Sequence, residues 1–94
     1  MDEYGIWGER RRRYLRNQQN GIYTGMLLSG RLDGHLTEIN QQAKEMYARL
    51  IEQMAKQESI TEQLKADDQM EWVQRMSNIQ ERAMEIVNTE LIYA

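Results

Sequence analysis

The chain has 94 residues, 40% of them hydrophobic and 29% charged, which is typical of one small globular domain and excludes an intrinsically disordered chain. It has no cysteine and a single histidine, which excludes disulfide frameworks, zinc fingers and histidine clusters that bind metals. No stretch reaches the roughly 18 apolar residues that cross a bilayer, and residues 1–4 do not begin a signal peptide, so we expect a cytoplasmic protein without a membrane partner.

Charge is distributed unevenly along the chain, whose formal net charge is -3. Between positions 10 and 31 there are six arginines and no acidic residue. Between positions 36 and 94 there are 11 acidic and 6 basic residues, a net charge of -5. The sequence therefore predicts a basic patch near the N-terminus and an acidic, mixed-charge surface on the remainder.

Glycine and proline divide the chain into two segments. All 6 glycines lie in the first 34 residues and proline is absent, so helix breakers are confined to segment 1–34 and missing from segment 35–94. In segment 1–34 we expect a short helix from Glu9 to about Gln18. A second short helix, Ile22 to Leu28, would end at Gly30, because glycine suits the left-handed C-cap position.

The long segment and the residues just before it carry the pattern of two long amphipathic helices. Asp33 is the expected N-cap of the first helix, and Ser59 and Glu62 have the spacing of a capping box that starts the second. The apolar pattern lapses at Asp67-Asp68, where the second helix is expected to bend or restart. The apolar stripe of the first helix repeats at steps of three and four: Leu32, Leu36, Ile39, Ala43, Met46, Leu50 and Met54.

These patterns predict an all-α fold, in which two long antiparallel helices form a helical hairpin and two short N-terminal helices pack against one end. A chain of this size buries only a modest core, so two hairpins are expected to pair into a homodimeric bundle. Trp72 is expected at the edge of the dimer interface. Four methionines at helical core spacing are expected to pack inside: Met46, Met54, Met76 and Met84.

The arginine run is the sharpest functional feature. Guanidinium groups match phosphate geometry, and a tyrosine among them can stack on an exposed base. Four consecutive residues cover more than one helical turn, so they cannot all face one phosphate backbone. Two alternatives stay open. In the first, the arginines bind an acidic protein partner; in the second, they form an internal clamp by contacting the acidic long helices of the same chain. The candidate nucleic-acid-binding residues are Arg10, Arg11, Arg12, Arg13, Tyr14, Arg16 and Arg31.

A helix-turn-helix motif over residues 23–42 fits the sequence only in part. With Gly30 at the usual turn position, Leu36 and Ile39 fall at two buried positions of the motif. Ser29 and Arg31, however, fall where the motif requires small apolar residues.

Catalysis has no comparable signal. His35 is the only histidine and is expected to be exposed at a helix start. Glu38 follows it in the reverse of the Glu-x-x-His order found in carboxylate metal bundles. Residues 5–8 lack the lysine and the preceding strand of a phosphate-binding loop. We therefore expect no catalytic residues, no metal site and no cofactor, and thus a binding protein rather than an enzyme.

Several runs of residues resemble the TnpV family of small transposon-encoded proteins. The resemblance covers positions 5 to 93 and implies an accessory protein of a mobile element, but it brings no catalytic motif. The runs that carry it are Gly5-Ile6-Trp7-Gly8, Arg13-Tyr14-Leu15, Tyr23-Thr24, Leu27-Leu28-Ser29-Gly30, Thr61-Glu62-Gln63-Leu64-Lys65-Ala66, Gln69-Met70-Glu71-Trp72-Val73, Ala83-Met84-Glu85-Ile86-Val87-Asn88 and Glu90-Leu91-Ile92-Tyr93.

Two functions of different classes are compatible with these features. The first is non-catalytic DNA binding through the arginine patch, with any base readout from the helix that starts near Asp33. The alternative is an anti-CRISPR-like inhibitor that binds a host defence nuclease through an acidic helical face. The residues expected to carry this alternative are Glu45, Glu52, Glu71 and Trp72.

Overall fold

The computed structural model describes residues 4–94, so residues 1–3 of the predicted segment 1–34 lie outside the described part. It confirms an all-α protein, with no strand within the described range. No helix in that range is long and apolar enough to span a bilayer. The elements are α1 (Gly5–Gln18), α2 (Asn20–Ser29), α3 (Leu32–Gln57), α4 (Glu62–Asp67), α5 (Gln69–Val87) and a π-helical turn (Asn88–Ile92).

The two short N-terminal helices form where the sequence places them, with different starts. α1 begins at Gly5 instead of Glu9, and α2 begins at Asn20 instead of Ile22. Gly30 ends α2 in the left-handed conformation, with φ 77°. Its N–H donates to Leu27 O at 3.3 Å and the next N–H donates to Met26 O at 2.9 Å. These two bonds form a Schellman motif, so the predicted glycine C-cap is confirmed.

The predicted N-cap of the first long helix is wrong. Arg31 already has helical dihedral angles when the chain leaves the Gly30 turn, so α3 starts at Leu32 and places Asp33 inside its first turn. There the carboxylate accepts a hydrogen bond from the Tyr4 hydroxyl. An acidic group in the first turn still interacts favourably with the helix dipole.

The second long element is two helices, because the chain restarts at the predicted weak point. Asp68 ends α4 and caps α5, accepting from the N–H of Glu71 at 3.1 Å. The cap of α4 is Thr61, which accepts from Leu64 N at 3.1 Å, and not the predicted Ser59. Ser59 instead has a positive φ of 56° and lies in the turn that ends α3.

The core lies where α1, α3 and the end of α5 meet. Trp7, Ala43, Val87 and Ile92 are its buried members, and the rings of Trp7 and Tyr47 lie 5.6 Å apart. The partly buried residues packed around them are Ile39, Met46, Tyr47, Leu50 and Leu91.

α3 and α5 run antiparallel. Arg82, in the second half of α5, donates to Glu58 just after α3 at 2.5 Å, whereas Val87 at the end of α5 meets Ala43 in the middle of α3. α4 packs against α5 and against no other described helix. The molecule is therefore elongated, with extents of 55 × 21 × 20 Å.

The predicted methionine core is only partly realised. Met46, Met54 and Met76 are half-buried and Met84 is 37% exposed. The largest fully buried side chains are branched aliphatic ones: Leu15, Leu36, Ile79, Ile92 and Val87.

Gly8 sets the close approach of α1 to α3. A Cβ built there would lie 2.6 Å from Tyr4 Cβ and 3.0 Å from Leu36 O, which is a backbone atom. The N–H of Gly8 also donates to Asn40 Oδ1 at 3.2 Å. A side chain at this position would push the two helices apart, so we expect Gly8→Ala to lower the free energy of unfolding by about 1–3 kcal/mol.

The matched control is Gly34→Ala in the first turn of α3. Nothing lies within 4 Å of a Cβ there, so the better helix propensity of alanine should raise the free energy of unfolding by up to about 1 kcal/mol. Urea denaturation followed by circular dichroism measures both values. Equal effects of the two substitutions would contradict this account of the α1–α3 contact.

Candidate nucleic-acid interface

The predicted basic patch contains six arginines, and five of them lie on α1. Their contacts divide these five into two groups. Successive residues of a helix point about 100° apart, so the run cannot form one continuous charged face. Arg10, Arg11 and Arg12 contact other parts of the chain, whereas Arg13 and Arg16 point to solvent. The structure therefore does not bring all the predicted site residues together.

Arg10 joins α1 to the end of α5. Its Nη1 donates to Asn88 Oδ1 at 2.9 Å, and its guanidinium lies 5.0 Å from the ring centroid of Trp7. A charge-assisted hydrogen bond and a cation–π contact thus hold the side chain against the core.

Arg11 holds the last residues of the chain against α1. Its Nη1 donates to Ile92 O at 2.8 Å and to Ala94 O at 2.9 Å. Ile92 is the last residue of the π-helical turn and Ala94 follows it, and backbone acceptors at a helix end lack intrahelical partners. Partial burial lowers the pKa of Arg11, but a guanidinium stays charged at any physiological pH. We call the contacts of Arg10 and Arg11 with Asn88, Ile92 and Ala94 the C-terminal clamp.

His35 supports the clamp and is not the exposed residue that was predicted. It is half-buried, and its Nε2 accepts a hydrogen bond from Arg11 Nε at 3.3 Å. Burial lowers the pKa of His35, and the nearby charge of Arg11 lowers it further, while Glu38 opposes the shift. An accepting ring nitrogen carries no proton, so this contact requires a neutral imidazole.

Arg12 ties α1 to α2. Its Nη1 lies 3.4 Å from Glu9 Oε2. A hydrogen bond with Tyr23, followed by the contact with Glu9, raises the pKa of Arg12. Its role in the folded chain is thus to connect the first two helices.

Three predicted site residues are exposed, and none has a hydrogen bond or ion pair from its side chain to another described residue. Arg13 and Arg16 lie one turn apart near the end of α1. Arg31 lies between α2 and α3. Because α1 and α3 run antiparallel, as the Arg11–His35 and Trp7–Tyr47 contacts indicate, Arg31 and Arg16 lie toward the same end of the molecule.

A surface cavity of about 290 Å³ lies beside Arg13. On one side lie the rings of Tyr14 and Tyr93, whose centroids are 5.3 Å apart at an angle of 51°. Tyr93 is 48% exposed. The cavity thus combines cationic, aromatic and amide side chains, and it is lined by Arg10, Arg13, Tyr14, Asn17, Gln18 and Tyr93.

Of the six residues that line this cavity, only Arg10, Arg13 and Tyr14 were predicted from the sequence. Helical spacing from Arg10 and Arg13 could have added Asn17, because positions i, i+3, i+4 and i+7 share a face. Tyr93 carries no local signal, since only the C-terminal clamp brings it beside Tyr14.

The acidic residues of the alternative hypothesis mostly have local partners. Glu45 accepts from Gln41 at 2.9 Å. Glu52 lies 3.9 Å from Lys56, and Glu71 lies 3.1 Å from Arg75. Trp72 is half-buried, with the Lys65 ammonium 4.7 Å from its ring centroid.

The structure fits the helix-turn-helix motif only in part, as the sequence does. Leu36 is buried and Ile39 is half-buried, whereas Ser29 and Arg31 are exposed. In the described residues, no three His, Asp or Glu side chains group closely enough to hold a metal ion.

The His35–Arg11 contact predicts a pH-dependent stability. Because the pKa of His35 is lower in the folded chain than its ordinary value of about 6.5, the unfolded chain binds the proton first as the pH falls. The free energy of unfolding should therefore be greatest above that value and decrease below it. Urea denaturation of the wild type and of His35→Gln between about pH 7.5 and 5.5 measures this dependence.

The His35→Gln variant should lose the part of the decrease that begins near pH 6.5, the ordinary histidine value. The remaining carboxylates titrate in both proteins, so the difference between the two curves isolates His35. Identical pH dependence of the two proteins would contradict the proposed coupling between His35 and the clamp.

Comparison with known families, curated proteins and solved structures gives one match. Residues 1–92 match the sequence model of the family described as transposon-encoded protein TnpV. No curated protein and no solved structure matches the chain. The family match covers nearly all of the 94 residues and agrees with the runs of residues noted in the sequence. The chain belongs to the TnpV family of transposon-encoded proteins.

Proposed function

We propose that this transposon-encoded protein binds DNA without catalysis, as an accessory protein of its mobile element. One observation carries the proposal: Arg13 and Arg16 are exposed, lie one turn apart and form no hydrogen bond or ion pair with another described side chain. Two free guanidiniums at this spacing suit successive phosphates of a nucleic-acid backbone.

The proposal divides the predicted arginine patch by role. Arg13 and Arg16 contact phosphates, and Arg31 extends the patch from the adjacent turn. Arg10 lies at the edge of the cavity while it bonds to Asn88. Arg11 and Arg12 position the surrounding structure, since their guanidiniums already bond within the chain.

The cavity favours single-stranded DNA over duplex DNA. Tyr93 presents a half-exposed ring, and an unpaired base can leave its neighbours to stack on such a ring. The side-chain amides of Asn17 and Gln18 both donate and accept hydrogen bonds, so they can bond to the edge of a base. A duplex keeps its bases stacked and offers the cavity only its backbone.

The net charge limits where DNA can bind. With a formal net charge of -3, the protein as a whole repels a polyanion at long range. Attraction is confined to the end of α1, where no acidic residue lies between positions 10 and 31. We therefore expect binding that is moderate and strongly weakened by salt.

We expect the double variant Arg13→Gln/Arg16→Gln to lose DNA binding. Fluorescence anisotropy with labelled single-stranded DNA at several salt concentrations measures the affinity and its salt dependence. Each lost phosphate contact should reduce the log–log salt slope by about 0.7 for a single strand, or roughly 1.4 for both.

The control is Arg49→Gln/Arg75→Gln, because it also removes two arginines and changes the net charge from -3 to -5. Arg49 is exposed on α3, and Arg75 pairs with Glu71 on α5. The proposal is wrong if both double variants bind DNA equally, or if the wild type binds neither single-stranded nor duplex DNA at low salt.

We expect Tyr93→Ala to weaken single-stranded DNA binding by about 5- to 150-fold, the equivalent of 1–3 kcal/mol for one stacked base. Tyr93→Phe keeps the ring and should bind nearly as the wild type does. Duplex affinity should change little in either variant. A similar loss for Tyr93→Phe, or an equal loss on duplex DNA, would argue against stacking in this cavity.

A further inference from the structure

α2 is an uncharged, mostly apolar helix of which the folded chain covers only the side that carries Tyr23 and Met26. None of its ten residues is buried and none is charged. Ile22 is 49% exposed, Leu27 is 54% exposed and Leu28 is 82% exposed. An exposed helix normally carries charged and polar residues along its solvent face, whereas α2 has no charged residue and only Asn20, Thr24 and Ser29 as polar ones besides the hydroxyl of Tyr23, so its composition is closer to that of a packed helix.

Gly21 and Gly25 have no role in the fold of the single chain. Neither has a positive φ, and a Cβ at either position would meet nothing within 4 Å. Glycine inside a helix costs about 1 kcal/mol relative to alanine. The two glycines lie four residues apart on the same face, where they leave a shallow groove that admits the close approach of another backbone.

Leu28 lies on the same face as this groove, because positions i, i+4 and i+7 of a helix are aligned. It is also the most exposed large hydrophobic side chain among the described residues. The face therefore carries both a groove, at Gly21 and Gly25, and a protruding apolar side chain that would fill an identical groove. Such a face is complementary to itself.

The total surface agrees with a missing partner. The accessible surface is 6460 Å², whereas a compact monomer of 11.2 kDa would expose roughly 5,700 Å². The elongated shape contributes to this excess of roughly 800 Å², which is comparable to the area that each partner buries in a standard protein interface.

We propose that α2 is the interface of a homodimer, in which two copies of α2 cross at Gly21 and Gly25 about a two-fold axis and Leu28 of each copy packs into the groove of the other. A second copy fits best as the occupant, because an uncharged apolar helix with no ion-pairing group pairs most favourably with a surface of the same kind. The interface differs from the predicted pairing of methionine stripes, since Met46 and its neighbours already pack within the chain.

Size-exclusion chromatography with light scattering, with the protein at about 100 μM, tests the proposal. At this concentration a dimer with a dissociation constant in the micromolar range is populated. The wild type should have twice the monomer mass of 11.2 kDa. Gly25→Leu fills the groove and Leu28→Gln removes the side chain that enters it, so each should raise the dimer dissociation constant at least about tenfold. Gly34→Leu and Met70→Gln are matched controls, because Gly34 is equally open and Met70 is 74% exposed, but both lie outside α2.

Thermal unfolding distinguishes a lost interface from a lost fold. A dimer has a Tm that rises with protein concentration. Gly25→Leu should abolish this dependence while keeping or raising the Tm at low concentration, since leucine favours the helix and its Cβ meets no atom within 4 Å.

Three results would overturn the proposal. The first is a wild type that stays monomeric at 100 μM, which would leave α2 to a different partner. The second is a dimer whose dissociation constant is the same in the wild type, in Gly25→Leu and in Leu28→Gln. The third is equal weakening by the controls outside α2.

Discussion

The C-terminal clamp is the contact on which the rest of the structure depends. One guanidinium, that of Arg11, bonds to the carbonyls of Ile92 and Ala94 and so ties the end of the chain to its first helix. The clamp holds Ile92 in the core beside Trp7, which closes the apolar interior at that end. It also places Tyr93 against Tyr14. Stability and the candidate site thus rest on the same few hydrogen bonds.

The arginine run serves two purposes because helical geometry separates its members. Neighbouring residues on α1 point about 100° apart, so some face the core and others face solvent. The inward arginines donate to Asn88, just after α5, and to carbonyls at and after the end of the π-helical turn, and backbone acceptors at a helix end need such donors. The alternative of an internal clamp onto the acidic long helices differs from what the structure shows, because Arg10 and Arg11 bond to Asn88, Ile92 and Ala94 and not to acidic side chains. Charge counting alone could not separate the two groups.

Local signals predicted most of the helices, and long-range contacts account for what was missed. Glycine at position 30 and the lapse at Asp67-Asp68 are features of the backbone within a few residues, and both appear as expected. Asp33 and Ser59 failed as caps because the preceding turns fixed the helix starts elsewhere. Arg11 and Ile92 are separated by 81 positions, so no periodicity could pair them. Tyr14 and Tyr93 are also far apart in the sequence, so no local pattern could predict the second aromatic ring of the cavity.

The proposed dimer and the proposed DNA contact reinforce each other through the chain's connectivity. Only Gln19 separates α1 from α2, and Arg12 contacts Tyr23 across that junction, so α1 is held in a defined position relative to α2. A two-fold axis through α2 would therefore place two α1 arginine pairs at a fixed separation on one particle. Two weak contacts held on one rigid body bind a single strand more tightly than either does alone. Because each chain has a net charge of -3, dimerisation also doubles the long-range repulsion of the DNA, so the gain in affinity comes only from the second set of short-range phosphate contacts.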